Sequence, residues 1–335
     1  MPGNMGRKSQ SMRQTRSLLL LAVAGLLAVL ASPVVAQHDY PNRPIRLIIP
    51  FPPGGSNDIV GRAIATQMSE KLGKQVIVDN RTGAAAIVGT ELASKAPADG
   101  YTILVISLAH AYNPWLYKLP YDPIKAFTPI GIMAAGTNAL TVHPSLPVRS
   151  VNDLIVMARA KPGELTYASS GVGTFQHLTA ELFKLETKID LLHVPFRGGG
   201  PALTDVLGGH NKIMFSSVVN VVPHVKSGRL RALGTGGAQR ASALPDVPTI
   251  AEAGVPGYEA NQWWGLLAPA GTPPTIVARL HKALEEVQDM PEVQQQFEKE
   301  GASIKKMGSA EFGKFIESEM IKWERVVKES GIKAE

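Results

Sequence analysis

Two stretches of this sequence place backbone amides where an anion could use them. Residues 45–58, IRLIIPFPPGGSND, and residues 165–177, LTYASSGVGTFQH, each run from a short apolar segment through a Gly-rich turn into a helical pattern. Such a junction leaves the first amide N–H groups of the helix without intrahelical partners and adds the positive end of its dipole, so a carboxylate is a fitting occupant. Gly54 and Gly55 permit the tight turn, and a Gly-Gly pair alone would mean no more than that. A second turn of the same kind in the other half of the chain changes the reading to a clamp that holds one ligand from two sides.

Other chemistries fit these residues less well. Neither turn ends in the Lys-Ser/Thr of a phosphate loop, and Gly171-Val-Gly173-Thr-Phe-Gln176 lacks the third Gly of a dinucleotide fingerprint. His177 and Glu181, four apart, could share a helix face and a metal, but the eight His are scattered and supply no third ligand. Neither metal nor cofactor is expected, and His177 reads as a hydrogen-bonding group at a helix start. Ser169 and Ser170 do not sit in a Gly-x-Ser-x-Gly elbow, although triads are recognised by geometry rather than spacing. Asp58, in the first helical turn, already satisfies part of the dipole and reads as organising its turn. Arg197 follows a short apolar run, where it either pairs with a carboxylate or is solvated. Trp263 and Trp264 are adjacent, so in a strand one faces a core and the other is open to a cleft.

The elements that must carry these turns alternate strand and helix. Strands are expected at 45–49, 76–78 and 101–107, with a helix at 84–95 and a turn at 97–100. Val60, Ile64, Met68 and Leu72 share one helix face, which Gly73 stops. The second half repeats the scheme, with strands at 165–168, 191–194, 212–215 and 230–234. Its helices fall at 176–185, at 201–207 with Pro201 in first position, and at 219–226. From Pro273 the pattern turns helical, Ile276, Leu280, Leu284 and Val287 forming one face and Phe312, Phe315, Ile316, Met320 and Trp323 another, a tail suited to folding back over the first lobe. This order describes an α/β protein with a parallel-rich sheet covered by helices. Extended stretches at 128–142 and 262–267 read as two crossings, which divide the chain into lobe 1 (37–138 plus 259–335) and lobe 2 (139–258). Two crossings make a hinge, and the cleft between lobes is a natural ligand site.

The first 36 residues read as an export signal. Arg7, Lys8, Arg13 and Arg16 form a basic region, residues 18–30 an apolar one, and Val34 and Ala36 the small residues of a cleavage site after Ala36. The apolar run is shorter than the roughly 20 residues that span a bilayer. No Cys follows it, so a lipid anchor is not expected. The mature chain is therefore expected in the periplasm, monomeric and not inserted in the membrane. Without the leader, 34 less four basic residues face 28 acidic ones, a net of +2, and no basic stripe interleaved with aromatics suggests nucleic acid. With no Cys, disulfides are excluded in a compartment that would permit them.

Phe51-Pro-Pro-Gly-Gly-Ser-Asn-Asp58, Ala98-Asp-Gly-Tyr-Thr102, Ala168-Ser-Ser-Gly171 with Gly173-Thr174 and His177-Leu178, Val194-Pro-Phe-Arg-Gly-Gly199, residues 244–254 (LPDVPTIAEAG) and Trp264-Gly265-Leu266 appear in order along residues 40–332. Together they resemble the Bug receptors, the solute receptors of tripartite tricarboxylate transport systems. The resemblance implies a two-lobed Venus-flytrap periplasmic binding protein, without metal or cofactor, that hands a small organic acid to a membrane permease. It implies ligand contacts from Phe51, Pro53, Gly55, Asn57 and Asp58 in the first lobe and from Ser169, Ser170, Gly171, Thr174 and His177 in the second, with Ala85 and Ser107 as wall residues. Phe196 stands where the family often has Tyr, at a position able to reach ligand or water, and Lys212 stands where an acid is frequent; both bear on ligand identity. The expectation is a binding protein, not an enzyme, for a dicarboxylate with one end at each turn. The alternatives are an exported enzyme acting on an organic acid or ester and a ligand-sensing co-receptor for a membrane sensor.

Overall fold

A computed structural model describes residues 40–332. The leader and its expected cleavage after Ala36 lie outside the described residues. The chain opens on β1 (Ile45–Ile49), whose Ile45, Leu47, Ile48 and Ile49 are all buried. After the first Gly-rich turn comes α1 (Ser56–Leu72), which buries Val60, Ile64, Met68 and Leu72 as their spacing requires. Gly73, at φ 66°, ends it with an amide bonded to the Glu70 carbonyl. A side chain at Gly61 would meet Ile49 Cδ1 at 2.7 Å, so the absent side chain lets the helix lie close on β1.

Then follow β2 (Val76–Asn80), α2 (Ile87–Ser94), β3 (Thr102–Ser107), α3 (Ala109–Leu116) and β4 (Phe127–Val142). The second half contains α4 (Val151–Ala160), β5 (Thr166–Ser169), α5 (Phe175–Thr187), β6 (Leu192–Pro195), α6 (Gly199–Leu207), β7 (Ile213–Ser217), α7 (Val218–Lys226) and β8 (Arg231–Thr235). The chain closes with β9 (Asn261–Pro269), α8 (Pro274–Gln288), α9 (Pro291–Glu300), β10 (Ala302–Ile304) and α10 (Ser309–Ser330).

The strands run β2-β1-β3-β9-β4-β7-β5-β6, with β8 and β10 also on β4. Each end is parallel, β2-β1-β3 on one side and β7-β5-β6 on the other, while every pairing of β4 and β9 is antiparallel. The 16 residues of β4 serve both halves. Its first part, Phe127 to Thr137, pairs with β9, and its last five residues pair with β7 and β8. The change of sheet between Thr137 and Asn138 is the first crossing. The second lies beside it, where Gly236 donates to the Asn138 carbonyl and Ala260 donates to the Gly236 carbonyl. The structure is thus two-lobed, each lobe a sheet flanked by helices.

Three local expectations change. The stretch 262–267 is not itself a crossing: it belongs to β9, deep in the first sheet between β3 and β4. The helix expected from residue 84 begins at Ile87, because Ala84, Ala85 and Ala86 take φ of 45°, 51° and 78°. Helix α6 starts at Gly199, so Pro201 is its third residue rather than its first. The C-terminal tail does fold back: α10 packs on α3, α5 and β4, with the Trp323 ring edge-on to Tyr112 at 6.0 Å.

Candidate functional site

The first turn is braced from behind by a carboxylate. Asp58 is 4% exposed, and its Oδ2 accepts from the Gly54 amide at 3.0 Å, closing the turn. Arg62 and Asn80 donate to the same carboxylate at 2.9 Å, and Asn80 also donates to the Phe51 carbonyl. Burial would raise the Asp58 pKa, but the bonds from Arg62, Asn80 and Gly54 outweigh it and hold the group below the ordinary carboxylate value. Asp58 is therefore a brace for the turn, turned away from the cleft.

The second turn is braced by neutral groups. The Gly173 amide donates to His177 Nδ1 at 3.0 Å, so that imidazole carries its proton on Nε2, which faces Glu181 at 3.8 Å. His177 stacks on His193 with ring centroids 3.9 Å apart, and His193 Nε2 meets Ser169 Oγ, which in turn accepts from the Gly171 amide at 3.1 Å. Burial lowers both imidazoles to about 4, so the pair is uncharged at neutral pH. Ser169 is wholly buried under this turn and cannot reach a substrate as a nucleophile.

Between the turns lies a tight cavity of about 40 Å³ with no charged side chain in its wall. Four helices begin on it. Gly55 at the start of α1, Thr174 at the start of α5, Gly199 in the first turn of α6 and Ser217 at the start of α7 all line it, and none of these helices has a side-chain cap. Their free amides and dipole ends make the space electropositive without a cation. The same wall holds Asn57, Gln176, Ser217, Asn220 and Gln262, each 2–8% exposed and each with a buried polar atom that has no partner. Half of the ten such atoms among the described residues thus converge on one small space, a concentration of unmet hydrogen-bonding capacity that a packed core avoids.

The carboxamides can serve an anion. Gln176 and Asn220 donate to Ser216 Oγ at 3.0 and 3.4 Å, and Gln262 donates to Ser56 Oγ at 3.4 Å. Turned over, Gln262 presents N–H groups to the cavity while its oxygen accepts from Ser56, and one of Gln176 and Asn220 can do the same with Ser216, whose hydroxyl accepts twice but donates one proton. The lobes are closed around the site: a methyl on Gly198 would lie 2.5 Å from Pro52 Cγ, and one on Gly200 would lie 3.2 Å from the Pro53 carbonyl oxygen.

Of the residues singled out from sequence, Phe51, Gly55, Asn57, Ser107, Ser170 and Thr174 line this cavity. Ala85, Gly171 and Phe196 line an adjoining chamber of about 450 Å³ that shares Phe51, Pro52, Ser170 and Thr174 with it. Pro53, Asp58, Ser169 and His177 line neither: Asp58, Ser169 and His177 are buried behind the turns, while Pro53 is an exposed part of the first turn that faces Gly200. Arg197 lines the chamber, whereas Lys212 is exposed ahead of β7 and lines neither space. Both tryptophans are buried away from the cavity, Trp263 donating to Glu319 and Trp264 packed over Gly136. Gln176, Ser217, Asn220 and Gln262 carry no motif signal; Gln176, Asn220 and Gln262 lie in stretches read as elements or crossings, but none was singled out as a site residue.

Comparison with known proteins places the fold in a family. A family model described as the tripartite tricarboxylate transporter family receptor matches residues 60–332. Protein BugT of Bordetella pertussis is 35% identical over 325 residues, covering 96% of this chain and 99% of that one. Among solved structures, R. palustris Rpa4515 with adipate is similar at 36% identity and a TM-score of 0.86, covering 88% of this chain and 99% of that chain. MatC from Rhodopseudomonas palustris with bound malate is similar at 31% identity and a TM-score of 0.82, covering 86% and 100%. No helix among the described residues is long and apolar enough to cross a membrane. This chain belongs to the tripartite tricarboxylate transporter receptor family and is a solute-binding protein of it, not an enzyme.

Proposed function

We propose that this protein captures a small organic acid, a dicarboxylate fitting best, between its lobes in the periplasm and delivers it to a tripartite tricarboxylate permease. Residues 1–36 direct export and are removed after Ala36. The lobes that close are 37–138 with 259–335 and 139–258, turning at the paired crossings near Thr137 and Ala260. One observation carries the reading: four uncapped helix N-termini and five polar side chains, each with one unpartnered buried atom, meet in a cavity with no charged wall. Such a wall holds a carboxylate by many neutral donors and releases it when the hinge opens and water returns. The adipate and malate bound in two similar structures are acids of the proposed class. Phe51, Gly55, Asn57, Ser107, Ser170 and Thr174 take direct contact in this reading, while Pro53, Asp58, Ser169 and His177 keep the turns in shape.

The test is titration calorimetry on protein freed of co-purified ligand, comparing wild type with Gln176→Leu and Asn220→Leu against a panel of mono-, di- and tricarboxylates. A hydrogen bond to a charged group contributes roughly 1.5–3 kcal/mol, so each change is expected to weaken binding by roughly 10- to 150-fold. The ligand-free fold should change little in stability, since each change removes an unpartnered buried oxygen together with one bond to Ser216 Oγ. Unaltered affinity in both variants, or no carboxylate binding in wild type, would overturn the reading.

A further inference from the structure

The central cavity is too small for a whole dicarboxylate. A single water needs about 10–15 Å³, so 40 Å³ holds a carboxylate head and little else. The chamber beside it, at about 450 Å³, is three times the roughly 150 Å³ that suffices for a benzene ring. The two spaces share walls at Phe51, Pro52, Ser170 and Thr174, so a ligand with its head among the carboxamides has its body in the chamber.

The chamber's chemistry differs from that of the head site. Pro50, Phe51, the Ala84–Ala86 turn, Val172 and Phe196 give it apolar faces, and no acidic side chain lines it. Phe196 removes the hydroxyl that a tyrosine would offer there. Its single charged lining residue is Arg197, which is exposed and, among the described residues, makes no hydrogen bond or ion pair. A guanidinium at the rim of an apolar chamber is suited to a carboxylate at the far end of a ligand, which it can grip through two parallel bonds.

We propose that the chamber between the Ala84–Ala86 turn and Phe196 is a selectivity subsite, taking the apolar chain or aromatic ring of an elongated acid whose second anionic group meets Arg197. This rests on the central cavity being the head site, as argued above. Short diacids leave the chamber wet and do not span to Arg197, so they bind more weakly. Monoacids with a ring or long chain fill the chamber without engaging the arginine.

The experiment is calorimetry on the protein and its Arg197→Gln and Arg197→Lys variants with four probes: succinate, suberate, benzoate and terephthalate. In wild type, terephthalate or suberate should bind at least about tenfold more tightly than succinate, and terephthalate more tightly than benzoate. Arg197→Gln should cost the long diacid about tenfold or more and change benzoate by less than about twofold, while Arg197→Lys should recover part of the loss. Val172→Trp, which puts an indole into part of the chamber, should reduce the advantage of the long probes and spare succinate. If acids bind but succinate is preferred, or if Arg197→Gln leaves the terephthalate-to-benzoate ratio unchanged, the subsite is overturned and the head site stands. If none of the four acids binds wild type, both readings fall.

Discussion

The two turns that face the cavity present the same thing to it and are held by opposite means. The first, at Gly54 and Gly55, is fixed by the ionised Asp58, itself gripped by Arg62 and Asn80. The second, at Gly171 and Gly173, is fixed by Ser169 and two stacked neutral imidazoles. A brace needs only an acceptor for a turn amide, and both a carboxylate and a neutral imidazole nitrogen provide one. What differs is the response to acid. Asp58 has a depressed pKa, so its contribution is present above the ordinary carboxylate range and is lost only as pH falls through the lower folded value. The histidines fold at about 4, below their ordinary value, so their unfolded forms take up protons first and stability drains as pH falls from about 6.5 towards 4.

The largest effect should come from the first brace. Asp58→Ala leaves the Gly54 amide and an Asn80 N–H without an acceptor, and urea unfolding should report a loss of roughly 2–4 kcal/mol. A loss no greater than that of a surface ion pair would mean that the turn holds its own shape. The next effect concerns the second brace. Between pH 7.5 and 4.5 the wild type should lose stability, and His193→Gln should flatten that slope by up to about one proton, on the order of 1–2 kcal/mol given its partial exposure. Glu181 and Lys184 flank the imidazole pair, and the buried His110 and the more open His224 are shifted in the same direction elsewhere, so an unchanged slope in His193→Gln would assign the acid sensitivity to His110, His177 or His224 instead. The smallest effect probes the contact of the first turn with the α6 loop. Gly200→Ala should raise the stability of the ligand-free protein slightly, by better helix propensity, while weakening ligand binding by about tenfold. Its methyl would press on the Pro53 carbonyl in the closed form alone. If both quantities rose together, closure would not require that contact.

Much of this was legible because glycine and apolar spacing speak locally. β1, α1 and both turns could be placed from residues 45–73 and 165–177 alone, since each signal lies within one element. The Ala84–Ala86 turn could not: alanine is the best helix former, and nothing in three alanines announces three left-handed residues imposed by packing. The capping box of Ser150 and Asp153 at the start of α4 is a local signal too, although no helix was expected there. The carboxamide wall lies at the other extreme. Gln176, Asn220 and Gln262 are ordinary polar residues in the chain and become a set only when β4 and β9 bring their elements together. A clamp with two turns was visible, but the two further helix starts and the side chains between them belong to topology.

The position of β9 also governs the order in which the molecule can be made. β3 and β4 do not pair with each other; each pairs with β9, so the first sheet stays in two pieces until residues 261–269 have been synthesised. The second lobe has all its strands well before then. The N-terminal lobe is therefore the last to finish, and its completion depends on contacts between residues more than a hundred positions apart, which are slow to form. A nascent chain of this design therefore keeps its leading half incomplete until most of the chain has been made.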